Sequence, residues 1–250
     1  MRLATPALAI YLMAGDALPE LAAAAVRGGA TVVEVGIPFS DPLADGPTIQ
    51  AAGQAALDAG MTPRRCLDVL ATTRAEIGPD VPLVPMTYAA IVERYDVERF
   101  CRDAAEAGAT GLIVADIPPE EAGELEAAAS SNGIDLVQLV ALTSREQRIA
   151  LVAGASHGFI YVVAAIGTTG ARDELDVERL RTLLARVRAH ANGLPLLCGF
   201  GVSRGEHVAA LREAGADGVI VGSAAIDAVN RGGAAELERF VASLAQGLIL

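Results

Sequence analysis

Short apolar runs alternate with longer segments of helical periodicity along the whole chain. Four times a helix-like stretch closes in a turn of small residues and leads directly into an apolar run, at Gly28-Gly29-Ala30, Gly108-Ala109, Gly154-Ala155 and Gly215-Ala216. Because these runs are rich in β-branched residues and apolar on both faces, they are typical of parallel strands covered by helices. The glycines predict helix ends in the left-handed region of backbone conformation.

With the weaker signals included, the pattern predicts eight strands that alternate with helices. The strands are expected near residues 8–14, 31–37, 82–88, 110–117, 134–141, 158–165, 195–201 and 218–222. The helices are expected near 18–27, 48–59 with 63–77, 96–107, 119–131, 145–153, 177–191, 205–214 and 234–246. Eight alternations suit a (β/α)₈ barrel, and we predict one barrel domain over residues 1–250. A doubly wound open sheet is disfavoured because no G-x-G-x-x-G motif follows the first strand.

The composition narrows the classes of partner. A net charge of −12 opposes binding to nucleic acid or anionic lipid, so local dipoles must hold any anionic substrate. Three scattered cysteines favour reduced thiols in the cytoplasm over a disulfide framework. Pro6 and Gly15-Asp16 interrupt the first apolar run, so neither a signal peptide nor a membrane span is expected. We therefore expect a cytoplasmic protein.

The basic residues exclude several reaction classes. The chain has no lysine, which removes Schiff-base aldol chemistry, a lysine-anchored pyridoxal phosphate and a P-loop lysine. Its three histidines, His157, His190 and His207, fall away from the predicted strand tips. Metal-dependent catalysis is therefore not expected, since a metal site needs several such ligands together.

Candidate carboxylates follow from the rule that barrel active sites lie at the C-terminal ends of strands. Glu34 lies within the second predicted strand and points either to the barrel axis or to the helices. In either orientation we expect it to be buried, which raises its pKa and allows it to serve as a general acid, although a structural glutamate paired with an arginine or tyrosine is the alternative. Asp41 and Asp45 lie in the stiff loop that follows, where each is a candidate catalytic acid or a turn and helix-cap residue.

Glycine-rich segments follow the last three predicted strands, at residues 168–170, 199–203 and 222–224. Such loops expose backbone N–H groups, and in barrels the loops after strands seven and eight commonly bind phosphate. Alternatively, these glycines serve only to form tight turns. Three aromatic residues near the same end, Tyr11, Tyr161 and Phe200, are candidates for the wall of an apolar pocket or for core packing.

The segment from Val33 to Gln50, VEVGIPFSDPLADGPTIQ, closely resembles the hallmark segment of tryptophan synthase α chains. The resemblance continues through residues 114–118, 159–163, 199–203 and 222–224 and covers nearly the whole chain. It implies a lyase that cleaves indole-3-glycerol phosphate to indole and glyceraldehyde 3-phosphate in tryptophan biosynthesis. It also implies a β-subunit partner in an αββα assembly, with pyridoxal phosphate only in the β subunit and no cofactor in this chain.

The same resemblance implies roles for individual residues. Glu34 matches the catalytic glutamate that moves protons between indole C3 and the glycerol hydroxyl, and Asp45 matches the aspartate that stabilises the charged indole N–H. Protonation at C3 makes the ring an electron sink, which replaces the Schiff base or metal of other aldolases. The remaining matches are Tyr11, Tyr161 and Phe200 on the indole side and Gly170, Gly201, Gly222 and Ser223 at the phosphate.

The sequence departs from the family in several places. Only about seven residues precede the first predicted strand, so we expect the family's N-terminal extra helix to be missing. Four residues differ from those usual in the family: Ala17, Ala90, Leu142 and Ala164. Several of these lie toward the surface that receives the β subunit, so coupling to a partner is less certain than the chemistry. A stand-alone lyase, a weakly catalytic allosteric activator and another phosphate-binding barrel enzyme stay open as alternatives.

Overall fold

The computed structural model of the chain describes residues 1–163, 176–199 and 201–248. Its eight strands are all parallel and form a closed barrel in chain order, with β8 pairing with β1. This confirms the predicted (β/α)₈ barrel. The strands are β1 Ala7–Met13, β2 Val32–Gly36, β3 Leu83–Thr87, β4 Gly111–Val114, β5 Asp135–Ala141, β6 Ile160–Val163, β7 Leu196–Gly199 and β8 Gly218–Val221.

Helices surround the barrel and connect successive strands. They are α1 Leu18–Arg27, α2 Pro47–Asp58, α3 Pro63–Ile77, α4 Ala89–Tyr95, α5 Val97–Glu106, α6 Gly123–Ser131, α7 Glu146–Ala155, α8 Val177–Arg188, α9 Gly205–Glu213 and α10 Ser223–Ala245, with a 3₁₀ turn at Gln246–Leu248. The helical prediction omitted α4 and the first half of α10. It was also wrong about Gly154, which lies inside α7, whereas Gly29, Gly108 and Gly215 do take the predicted positive φ.

The strands separate two layers of apolar side chains because successive residues point to opposite faces. In β1, Leu8, Ile10 and Leu12 pack outward against the helices. Ala7, Ala9 and Tyr11 instead point inward, where they pack with inward residues of the other strands. The inner layer fills the lower barrel, and a cavity lies above it at the C-terminal mouth.

The floor of the barrel is closed by the first residues of the chain. Met1 and Leu3 pack against the inner layer, and the Met1 amine lies 2.5 Å from the carboxylate of Asp135. Within the described range 1–6, no helix precedes β1. No helix in the described part of the chain is long and apolar enough to cross a membrane.

Candidate active site

Glu34 points into the barrel mouth and not toward the helices. It lies in β2 opposite Tyr11 of β1 and Val84 of β3, is only 2% exposed, and lines the cavity at the mouth. Burial, with a smaller contribution from Asp45, raises the pKa of Glu34 to about 8. No arginine or tyrosine among the described residues forms a hydrogen bond or ion pair with it, so this part of the chain shows no structural pair of the kind considered from the sequence. Glu34 thus carries a proton near neutral pH.

Asp45 faces the same cavity from the loop between β2 and α2. The Tyr88 hydroxyl donates a hydrogen bond of 3.0 Å to Asp45 Oδ2 and accepts one of 3.3 Å from the Ala44 amide. Helix α2 begins after Gly46 without a side-chain cap, so the carboxylate of Asp45 does not serve as its cap. Burial raises the pKa of Asp45, and the hydrogen bond from Tyr88 partly opposes that effect. The two carboxylates therefore share one pocket, in different environments.

Two tyrosines form the inner wall of the cavity, each next to a glycine of the neighbouring strand. The hydroxyl of Tyr11 lies against Gly36, and that of Tyr161 lies against Gly199, so close that a Cβ at either glycine would overlap the ring. Both side chains are nearly fully buried. Burial raises the pKa of both phenols well above the usual value, and the neighbouring carboxylates add to the effect, so both stay protonated.

Backbone groups converge on the opposite side of the cavity. Gly201 has a positive φ of 84°, which favours glycine, and Ser223 is the first residue of α10. The start of a helix exposes free N–H groups and a positive dipole end, which suits an anion such as phosphate. The predicted phosphate residues Gly201, Gly222 and Ser223 all line the cavity. Gly170 and Phe200, also predicted for the site, lie outside the described residues.

The cavity opens to solvent at the C-terminal face of the barrel. Its chemistry divides into carboxylates on the β2 side and backbone amides on the β7 and β8 side. Sequence reasoning missed several apolar positions of the wall: Ile49, Met86, Val202, Ile220 and Ala224. Met86 could have been found, because it follows the buried Val84 at a spacing of two in a predicted strand.

Sequence reasoning also missed two supporting residues. Tyr88, which holds Asp45, directly follows β3 at the catalytic face, and that position was the available signal. His207 is buried behind the phosphate-side loop, where its Nδ1 accepts a 3.3 Å hydrogen bond from the Ser203 amide. Among the described residues, no cluster of three histidine, cysteine or acidic side chains is arranged to hold a metal ion.

Fold and site together define a TIM-barrel protein whose mouth combines two buried carboxylates with a helix N-terminus. A family model for the tryptophan synthase alpha chain matches residues 2–247. The chain therefore belongs to the tryptophan synthase α chain family, as the sequence resemblance predicted. This is a family of lyases that cleave indole-3-glycerol phosphate to indole and glyceraldehyde 3-phosphate, and its members work with a β subunit.

Individual relatives agree with this assignment. The tryptophan synthase alpha chain of Methanosarcina barkeri is 46% identical over 230 residues, which cover 90% of this chain and 84% of the relative. The solved tryptophan synthase of Mycobacterium tuberculosis is 38% identical and superposes with a TM-score of 0.90, covering 98% of this chain and 93% of the other. Tryptophan synthase subunit alpha of Legionella pneumophila is 30% identical with a TM-score of 0.87, over 97% and 92% of the two chains.

Proposed function

We propose that this chain cleaves indole-3-glycerol phosphate as the α subunit of a tryptophan synthase, with Glu34 as the proton-transfer residue and Asp45 as its electrostatic partner. The observation that carries the proposal is the placement of both carboxylates in one buried pocket, one of them protonated near neutral pH. A carboxylic acid with a pKa near the working pH is suited to give and take back a proton in one turnover.

The proposed reaction begins with a proton from Glu34 to indole C3. The ring nitrogen then bears positive charge, which the ionised Asp45 stabilises across the N–H. The Glu34 carboxylate next takes the proton of the glycerol hydroxyl next to the scissile bond. The carbon–carbon bond breaks, its electron pair returns to the ring, and the oxygen becomes the aldehyde of glyceraldehyde 3-phosphate. Glu34 ends the cycle protonated, so every proton is accounted for.

The proposed phosphate site uses backbone groups. The amides near Gly201, Gly222 and Ser223 supply donors, and the N-terminus of α10 adds its dipole. Gly170 is kept as a fourth proposed phosphate residue and Phe200 as a proposed indole contact.

We propose no cofactor for this chain, because protonation of the indole ring supplies the electron sink. A cytoplasmic location is part of the proposal, and the three free cysteines favour a reducing compartment.

The proposed partner is a β subunit that contains pyridoxal phosphate, in an αββα assembly. Support comes from the loop that carries Asp45, because the same loop presents Leu43 to solvent with 76% of its surface exposed. In the proposed assembly this leucine would give the partner an apolar contact on the same loop as a proposed catalytic residue. The departures at Ala17, Ala90 and Leu142 make the affinity for such a partner the least constrained part of the proposal, and Ala164 lies outside the described residues.

The test is release of indole from indole-3-glycerol phosphate by the purified chain, alone and with a tryptophan synthase β subunit. We expect slow release alone, strong stimulation by the β subunit, and a loss of at least 100-fold, roughly the scale of general acid–base catalysis, in Glu34→Gln and in Asp45→Asn. Glu106→Gln, at an exposed position of α5, is the matched control and should retain activity. Fast release that ignores the β subunit would favour a stand-alone lyase, and no release under either condition would overturn the proposal.

A further inference from the structure

Tyr11 lies between the two halves of the pocket. Its Cβ lies next to Gly222, 3.9 Å from where a Cβ on that glycine would be, and its hydroxyl reaches Gly36 on the other side. In the barrel order, β1 stands between β8, which leads to Gly222 and Ser223, and β2, which carries Glu34. The tyrosine side chain therefore spans from the proposed phosphate end to the proton-transfer end.

The hydroxyl of Tyr11 has no hydrogen-bond partner in the part of the chain that the structure describes. No described residue forms a hydrogen bond with it, although the side chain is only 4% exposed and lines the cavity. The hydroxyl of Tyr88, by contrast, donates one hydrogen bond to Asp45 and accepts another from the Ala44 amide. A buried phenol usually finds a partner, so one that faces a cavity without one points to a ligand atom or a water as its partner.

The charges around Tyr11 fix the direction of the missing hydrogen bond. Burial and the nearby Asp45 and Glu34 raise the pKa of the phenol well above 10, so it keeps its proton throughout the working pH range. A protonated phenol next to two acids is a donor to an oxygen that gains negative charge. The group that develops such charge in the proposed reaction is the glycerol hydroxyl that loses its proton to Glu34.

The layout of the substrate brings that oxygen to Tyr11. If the phosphate is held at β8 and the indole nitrogen at Asp45, the three-carbon chain must cross β1 to place its reacting carbon at Glu34. The side chain that lines this crossing is Tyr11, flanked by Gly222 and Gly36, which have no side chains to block the path. This argument rests on the proposed function, since it needs the phosphate and the indole at these two ends.

We infer that Tyr11 is a third catalytic residue, whose hydroxyl donates a hydrogen bond to the glycerol oxygen that becomes the aldehyde oxygen. Tyr11 transfers no proton: Glu34 takes the proton from that oxygen, and the phenol stabilises the charge that accumulates on it as the carbon–carbon bond breaks. Because the hydroxyl is fixed between Gly36 and the inner barrel wall, it needs no reorganisation during the reaction.

The test is Tyr11→Phe, which removes one oxygen and preserves the ring and its packing. For cleavage we expect kcat to fall roughly 100-fold, the scale seen when one preorganised donor to a developing oxyanion is removed. In the reverse condensation we expect the KM for glyceraldehyde 3-phosphate to rise while the KM for indole stays within about twofold. A purely structural role would not separate the two substrates in this way.

Tyr95→Phe is the matched control, because the Tyr95 hydroxyl bonds to Asp103 on the outer helices and lines no part of this cavity. It should leave both parameters unchanged. A Tyr11→Phe enzyme with wild-type kcat, or one in which only the KM for indole rises, would show that Tyr11 is an apolar wall and would overturn the inference. Both outcomes leave the proposed function intact, whereas a wild-type chain that never releases indole overturns the two together.

Discussion

At Glu34, catalysis and folding place opposite demands on one carboxyl group. The side chain is buried among apolar barrel residues and has no ionic partner among the described residues, so its charged form is poorly solvated. The result is a pKa of about 8 in place of the usual 4.5. A raised pKa suits a general acid, but it means that the folded protein is penalised whenever the group ionises.

This penalty predicts a pH-dependent gain in stability for Glu34→Gln. Between pH 4.5 and 8 the folded state holds a proton that the unfolded chain has released, so wild-type stability falls as pH rises through that window, by at most about 1.4 kcal/mol per unit. The glutamine variant lacks this loss, so its advantage in urea unfolding should be larger at pH 7.5 than at pH 5.5. Glu106→Gln should follow the wild type. A constant difference between the two pH values would contradict a strongly raised pKa.

Tyr88 and Asp45 give a second prediction at the residue scale. Removing the hydroxyl in Tyr88→Phe deletes the hydrogen bond that lowers the Asp45 pKa, so that pKa should rise further. Because Asp45 acts as an anion in the proposed reaction, the acidic limb of the kcat/KM profile should move to higher pH, and the maximum should fall about tenfold, as for loss of one hydrogen bond to a charged group. Tyr95→Phe serves again as the control. An unshifted acidic limb would mean that Asp45 does not set it.

The sequence indicated the proposed reacting groups more directly than the residues that support them. Glu34 was predicted as a buried carboxylate because both faces of a barrel strand are covered, and burial made it a candidate general acid with a structural glutamate as the alternative. Its direction was open, since both faces of a barrel strand are apolar and alternation alone does not tell axis from helix. Tyr88 could not be tied to Asp45, because they meet only after a loop of irregular conformation folds over the strand end.

The sequence prediction omitted two helical segments, and in both cases the cause lies in the turn next to the segment. Helix α4 was missed because the break between α4 and α5 falls at Asp96, which takes a positive φ of 84° without being glycine and caps α5 through a 3.0 Å bond to the Arg99 amide. The first half of α10 was missed because Gly232-Gly233 is typical of a loop. In the structure these two glycines do have non-helical backbone angles, with φ of 62° at Gly233, and they separate two helical segments within Ser223–Ala245.

Arg74 connects two turns at the N-terminal end of the barrel, so its replacement should lower the stability of the fold. From α3 its guanidinium donates to the carbonyl oxygens of Gly108 at 2.8 Å, Val81 at 2.8 Å and Gly78 at 2.5 Å, which joins the turn before β3 to the turn before β4. No acid among the described residues pairs with it. The planar guanidinium of arginine spreads its donors widely enough to reach three carbonyl oxygens at once. The ammonium group of lysine is compact and carries all its donors on one nitrogen, so it cannot span the same three oxygens.

Arg74→Lys should therefore lower the free energy of unfolding by about 1–2 kcal/mol, the cost of losing one or two hydrogen bonds to a charged group at a half-exposed position. Arg94→Lys, an exposed arginine on α4 with no partner among the described residues, should cost nothing measurable. Urea unfolding of both variants at one pH checks the difference. Equal stabilities would mean that water replaces the arginine in holding these loops.

The net charge of the whole molecule has the same sign as the charge of its proposed substrate. The chain carries a net charge of −12, yet the proposed substrate bears a phosphate. No cationic side chain lines the described part of the cavity, so backbone dipoles and neutral hydroxyl groups face the anion there. Such dipoles act only at close range, whereas the repulsion from the net charge extends about 30 Å at 0.01 M salt and only about 8 Å at 0.15 M.

Salt should therefore help this enzyme bind its phosphorylated substrate, the reverse of what is expected for a site built from lysine or arginine. In the condensation direction, raising KCl from about 0.01 to 0.15 M should lower the KM for glyceraldehyde 3-phosphate roughly twofold, because screening removes the long-range repulsion. The KM for indole, which is neutral, is the internal control and should not change. A KM for the phosphate that rises with salt would mean that a cationic side chain outside the described residues reaches the phosphate and dominates its binding.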